Sequence, residues 1–121
     1  MKKVTIDVVT EDPATQEWAL YLVEDGPWEA NQLEGRLRSL QERIYQAVDV
    51  ALDGHLANKY PGSRGKKVRI QVDFYDEPPR KVAMVVRAIA EFIRKSPEYR
   101  KDIKSSEYIR AIRIVSTLAS R

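Results

Sequence analysis

Val4, Ile6 and Val8 alternate with Lys3, Thr5 and Asp7 near the start of the chain. A period of two sends successive side chains to opposite faces, so this stretch predicts a half-buried strand. Glu11-Asp12-Pro13-Ala14-Thr15 then has turn chemistry, with proline fixing one backbone angle. Alternation resumes with Trp18, Leu20 and Leu22 on one side and Ala19, Tyr21 and Val23 on the other. Two short strands across a short turn predict an antiparallel hairpin.

The period then changes. Leu33, Leu37, Leu40, Ile44, Ala47, Val48 and Ala51 recur three and four residues apart, which is the stripe of a helix starting near Glu29. Tyr45, Leu52 and Leu56 widen that stripe, so its second half is expected to lie deeper. Gly54 falls inside the pattern at roughly 1 kcal/mol relative to Ala, which implies the close approach of another backbone. His55 falls on the apolar stripe and is expected to be packed or hydrogen-bonded, on a different side of the helix from Asp49 and Asp53.

Tyr60-Pro61-Gly62-Ser63-Arg64-Gly65 reads as a loop. Val68, Ile70, Val72 and Phe74 alternate with Arg69, Gln71, Asp73 and Tyr75 in the clearest strand of the chain. Asp76-Glu77-Pro78-Pro79 marks a helix start. Val82, Val85, Val86, Ile89 and Ile93 form the stripe of that second helix, which stops before Ser96-Pro97. Residues 97–105 are assigned one helical turn, and the stretch Tyr108 to Val115, dense in β-branched Ile and Val, a final strand. Either parity of that strand turns Arg110 or Arg113 toward the core, so its facing stays open.

The order β-β-α-β-α-β, with right-handed crossovers, predicts an α+β fold. It is a two-layer sandwich with a mixed four-stranded sheet in the order 1-2-3-4 and two helices on one face. The hairpin is antiparallel and the other pairs are parallel. One domain spans residues 1–121. Parallel strands are usually covered on both faces, so a second subunit is one candidate cover for the open face.

Composition narrows the function classes. The chain has no cysteine, which excludes disulfides and thiolate metal sites. No apolar run is long enough to span a membrane, and the start lacks the apolar region of a signal peptide. A reducing cytoplasm is the expected compartment, with no membrane partner. Net charge is +3, yet residues 1–60 hold 6 Lys/Arg and 11 Asp/Glu, while residues 61–121 hold 15 Lys/Arg and 7 Asp/Glu. Either the two halves intermix in the fold, or an acidic and a basic patch steer partners or self-association.

No catalytic constellation emerges. His55 is the one histidine, no serine sits in a nucleophile-elbow pattern, and no metal ligand spacing or cofactor fingerprint is present. Gly62-Ser63-Arg64-Gly65-Lys66-Lys67 is glycine-rich and basic, but it precedes a strand, so the helix N-terminal amides that cradle phosphate are missing. Glu24 and Asp25 are candidates either for paired carboxylates with split pKa values or for turn formation. Trp28 is a candidate interface anchor or a staple holding the helix entry to the sheet. Glu24, Asp25 and Trp28 are therefore the candidate partner-binding residues.

On the expected parity the open sheet face shows Thr5, Asp7, Tyr21, Arg69, Gln71 and Tyr75. An alternative function follows from it, in which Tyr21 and Tyr75 stack bases while Arg64, Lys66, Lys67, Arg69 and the stretch Arg94–Lys104 hold phosphates. Asp7 and Asp73 on the same face oppose it.

Three pieces carry a family resemblance: Val23-Glu24-Asp25-Gly26-Pro27-Trp28, then Leu52-Asp53-Gly54-His55-Leu56-Ala57, then Tyr60-Pro61 followed by Lys67-Val68-Arg69-Ile70. Together they resemble a family of small uncharacterised bacterial proteins, over about Ile6 to Pro79. The resemblance implies a bacterial, cytosolic setting and a compact α/β fold, and it brings no catalytic residue with it. The leading expectation is a non-enzymatic protein-binding or assembly module, including self-association. Nucleic-acid binding through the basic second half is the alternative, and a small enzyme using Glu24 and Asp25 is the third.

Overall fold

The computed structural model describes residues 6–118. Lys3, Val4 and Thr5 lie outside the described residues, and so does what was expected of them. One sheet holds β1 (Val8–Asp12), β2 (Glu17–Glu24), β3 (Lys66–Phe74) and β4 (Ile109–Leu118), in that order. β1 runs antiparallel to β2, and β2, β3 and β4 are parallel. Order and directions match the expectation. The long connections carry α1 (Leu33–Leu52), α2 (His55–Lys59), α3 (Arg80–Lys95) and α4 (Pro97–Ser105).

The helices cover one face. Leu20 and Leu22 of β2 and Val68, Ile70 and Val72 of β3 share a buried core with Leu40, Ile44 and Val48 of α1 and Val82, Val86 and Ile93 of α3. Each such side chain contributes roughly 1.5–3 kcal/mol by leaving water, before entropy is counted. Ile44, Ala47, Val48 and Ala51 are all fully buried, whereas Leu33 is only half-buried, so α1 does deepen along its length. No helix of the described residues is long and apolar enough to cross a membrane.

Several local expectations change. β1 begins where the first strand was expected to end, and Val8 is 47% exposed while Val9 packs on the core. Ile6 packs on the core as expected, and the parity changes after it because Asp7 also turns to the helix side. There its carboxylate accepts the Val23 N–H at 2.8 Å and meets Arg43 of α1 at 2.9 Å. The turn is correspondingly shorter than expected, running over Pro13–Gln16 after Asp12 has closed the β1–β2 ladder against Glu17.

The helical pattern through Gly54 is broken rather than continuous. Gly54 has φ 95°, a left-handed conformation that ends α1 and restarts the chain as α2. A Cβ there would lie 2.8 Å from the Tyr108 ring, so the close neighbour is a side chain and not a backbone. The break shifts the helical phase. Leu56 and Ala57 now face inward, and the His55 side chain is 72% exposed, with Nδ1 2.9 Å from the Asp53 carboxylate. Of the two states expected for His55, it is hydrogen-bonded rather than packed, and its partner is Asp53, which was expected on another side of the helix.

Residues 97–105 form a nine-residue helix, longer than one turn, capped by the Ser96 hydroxyl. The facing of β4 is resolved by a bulge. Lys66 pairs with Ile109 but Lys67 pairs with Ala111, leaving Arg110 as the extra residue. A bulge changes parity by one residue. Ile109, Ile112 and Ile114 can therefore all pack inward while Arg110 and Arg113 both stay off the core.

Candidate functional site

Three regions gather polar side chains, and they differ in whether their charges are already paired. The first is the turn after β2. Glu24 receives Arg43 and, at 3.4 Å, Arg36, so its carboxylate is held by two guanidinium groups from α1. Those arginines stand seven residues apart, two helical turns, and so share one face of α1. Arg36 also donates to the carbonyls of Asp25 and Pro27 and lies 3.7 Å over the Trp28 ring. Trp28 meets Phe74 with ring centroids 5.9 Å apart. Glu24, Asp25 and Trp28 are brought together, but as a clamp joining α1 to the end of β2. Trp28 packs as a staple, and Glu24 is committed to arginines rather than poised beside Asp25.

The second region is the open sheet face. Glu17, at the start of β2, is 5% exposed. Arg113 on β4 binds it through Nε at 2.7 Å and Nη2 at 2.8 Å, and Arg69 on β3 adds a bond of 3.1 Å. The two-pronged grip of Arg113 comes first among the causes that hold the Glu17 carboxyl down at about 2, against the opposing effect of burial. Arg69 is 11% exposed and also reaches Gln71 at 3.0 Å, Asp12 at 3.4 Å and the Tyr21 hydroxyl at 3.4 Å. Gln71 continues to Asp73 at 2.8 Å, which accepts from Thr117 at 2.6 Å. A polar ladder thus crosses all four strands, and the sheet covers its open face with its own charges.

That ladder occupies Tyr21 and Arg69, two of the residues expected to face nucleic acid. Arg64 is exposed, 5.3 Å above the Tyr108 ring and 3.8 Å from Glu107. Lys66 and Lys67 are exposed at the beginning of β3, and Tyr75 follows its far end with 38% exposure. A strand of that length spans roughly 30 Å. The six candidates therefore do not form one patch, and Asp12, Glu17 and Asp73 neutralise the middle of the face.

The third region was visible in the sequence only as part of the basic stretch Arg94–Lys104. The end of α3, α4 and the outer side of β4 enclose an open groove of about 700 Å³. Arg94, Arg100, Lys101, Lys104 and Arg110 line it, over Ile93, Ile103, Ala111 and Ile112. Arg94 pairs with Glu91 at 2.8 Å. Among the described residues, Arg100, Lys101, Lys104 and Arg110 have no carboxylate within ion-pair distance. Two local features produce this. The turn of α4 puts Pro97, Arg100, Lys101 and Lys104 on one face and Glu98 and Asp102 on another. The β4 bulge carries Arg110 outward into the same groove. Because strand order follows chain order, β3, α3, α4 and β4 stay together; the two halves intermix on the sheet face, where Arg69 and Arg113 meet Asp12 and Glu17, but not in the groove.

The model of a protein family described as "Family of unknown function (DUF6572)" matches residues 1–104. No curated protein and no solved structure matches the chain.

Proposed function

Because the chain belongs to this family of unknown function, we propose from its own surfaces that it is a non-enzymatic interaction module that self-associates through α3. The supporting observation is an apolar stripe on the outer side of that helix. Met84 is 58% exposed and Phe92 is 54% exposed, with exposed Ala88 midway between them. Spacing of four keeps the three on one face. The inner face of α3, with Val82, Val86, Ile89 and Ile93, is already buried in the core. Phe92 contacts Tyr99 edge-on at 6.0 Å, and Tyr99 stacks on Tyr45 at 6.5 Å, so the stripe ends on an aromatic platform fixed by three helices. Exposed methionine and aromatic residues on rigid support are what protein interfaces concentrate. Arg87, Glu91 and Lys95 supply a polar rim of mixed sign.

The test is molar mass by light scattering and sedimentation over a wide concentration range. A concentration-dependent dimer is expected. Phe92→Glu is expected to weaken it by roughly 2 kcal/mol, about 30-fold, with unchanged urea unfolding. A monomer at every concentration, or a dimer indifferent to Phe92→Glu and Met84→Glu, removes the reading.

A further inference from the structure

We propose that the groove between α4 and β4 binds an acidic, extended segment of a partner protein that carries aliphatic side chains between its carboxylates. The cations supply the first argument. Arg100, Lys101, Lys104 and Arg110 converge on one concavity with no internal carboxylate partner among the described residues, so the fold leaves their attraction unspent. A partner of opposite sign gains from them both steering and register.

The floor supplies the second. Ile93, Ile103, Ala111 and Ile112 are aliphatic, and among the described residues no aromatic ring lines the groove. Single-stranded nucleic acid is held by cations together with aromatic platforms that stack its bases. An aliphatic floor adds nothing to a phosphate backbone, but it does accept Val, Ile or Leu side chains. A space of about 700 Å³ has the size of ordinary ligand clefts and admits a few such side chains.

The edge of the sheet supplies the third. Ala111 and Ile112 are consecutive residues of β4 and point to opposite faces, yet both line the groove. The groove therefore wraps the rim of the sheet. β4 is the terminal strand in the order, paired to β3 alone among the described residues. An extended segment laid along such a rim finds main-chain partners there, while alternate side chains enter pockets on either side. The bulge at Arg110 interrupts the edge at this place and sets a cation beside it.

This inference goes beyond self-association through α3 and rests on different residues, so either can fail alone. The experiment uses the full chain and fluorescence anisotropy at near-physiological salt. The probes are a labelled short peptide alternating Glu and Val, a poly-Glu peptide of equal charge, and a single-stranded oligonucleotide of equal charge. The alternating peptide is expected to bind saturably, and about tenfold tighter than either other probe. Arg100→Glu combined with Lys104→Glu on the exposed side of α4, and separately Arg110→Glu, should each weaken it by about tenfold or more. Arg80→Glu, an exposed position at the start of α3 outside the groove, should leave it unchanged. Tighter binding of the oligonucleotide would make this a phosphate groove and overturn the proposal. Equal binding of poly-Glu, no binding of the alternating peptide, or indifference to both reversals at unchanged unfolding midpoint would each sink it as well.

Discussion

The open sheet face and the groove beside β4 contain similar side chains in opposite states. On the sheet, Arg69 and Arg113 close on Glu17 within 3.1 Å, and the whole row is bonded internally. In the groove, Arg100, Lys101, Lys104 and Arg110 face one another and solvent. The difference shows that basic content does not locate a binding surface. A guanidinium bound by a buried carboxylate is part of the fold, because moving it leaves that carboxylate desolvated and unpaired. A cation with no internal partner loses little when a ligand takes it.

The comparison is broken or sharpened most strongly at Glu17. Glu17→Ala should lower unfolding free energy by about 3 kcal/mol in urea titration, since it strands the largely buried Arg69 and frees Arg113. A loss below ~0.5 kcal/mol would mean that the sheet charges are as dispensable as surface ones. Acid should erode the same contribution. The Glu17 carboxyl is lowered from 4.5 to about 2 in the fold, so its stabilisation is complete above 4.5 and disappears as pH falls toward 2. The stability gap between the native chain and Glu17→Gln should therefore narrow steadily across that window. A gap that stays constant, or widens in acid, would contradict the assignment of the shift to the arginine grip.

Arg113→Met is expected to cost less, about 1 kcal/mol, because that side chain is 54% exposed and solvent already screens its pair. The groove should respond with the opposite sign. Arg100 and Lys104 are like charges four residues apart on α4, so replacing both by Gln should raise stability by about 0.2–0.5 kcal/mol at low salt. A measured loss of more than ~1 kcal/mol would show that these cations are structural and that the two regions do not differ.

Much of the architecture was legible because it follows from periodicity. The alternation of Val68 to Phe74 and the stripes of α1 and α3 depend on local backbone geometry, and chain connectivity then orders the strands. The errors lie where one distant contact outweighs the local pattern. Asp7 finds Val23 and Arg43 and so reverses the parity that put Val8 inward. The left-handed turn at Gly54 moves His55 out to solvent. The arginine conflict in β4 was a usable signal, because a strand that cannot hide Arg110 and Arg113 together needs a carboxylate, a bulge or both. The fold uses both, yet Glu17 carries no local mark of that role beyond sharing a face with Arg69.

By itself the sequence determined the element types, the single mixed sheet, the helix-covered core and the division of charge between the two halves. These need only short-range sterics, hydrophobic period and the handedness of connections. The tertiary structure alone decided which charges are paired. Pairing depends on side chains from strands and helices up to 96 positions apart meeting within about 3 Å, as Glu17 and Arg113 do, and no local pattern encodes such a meeting.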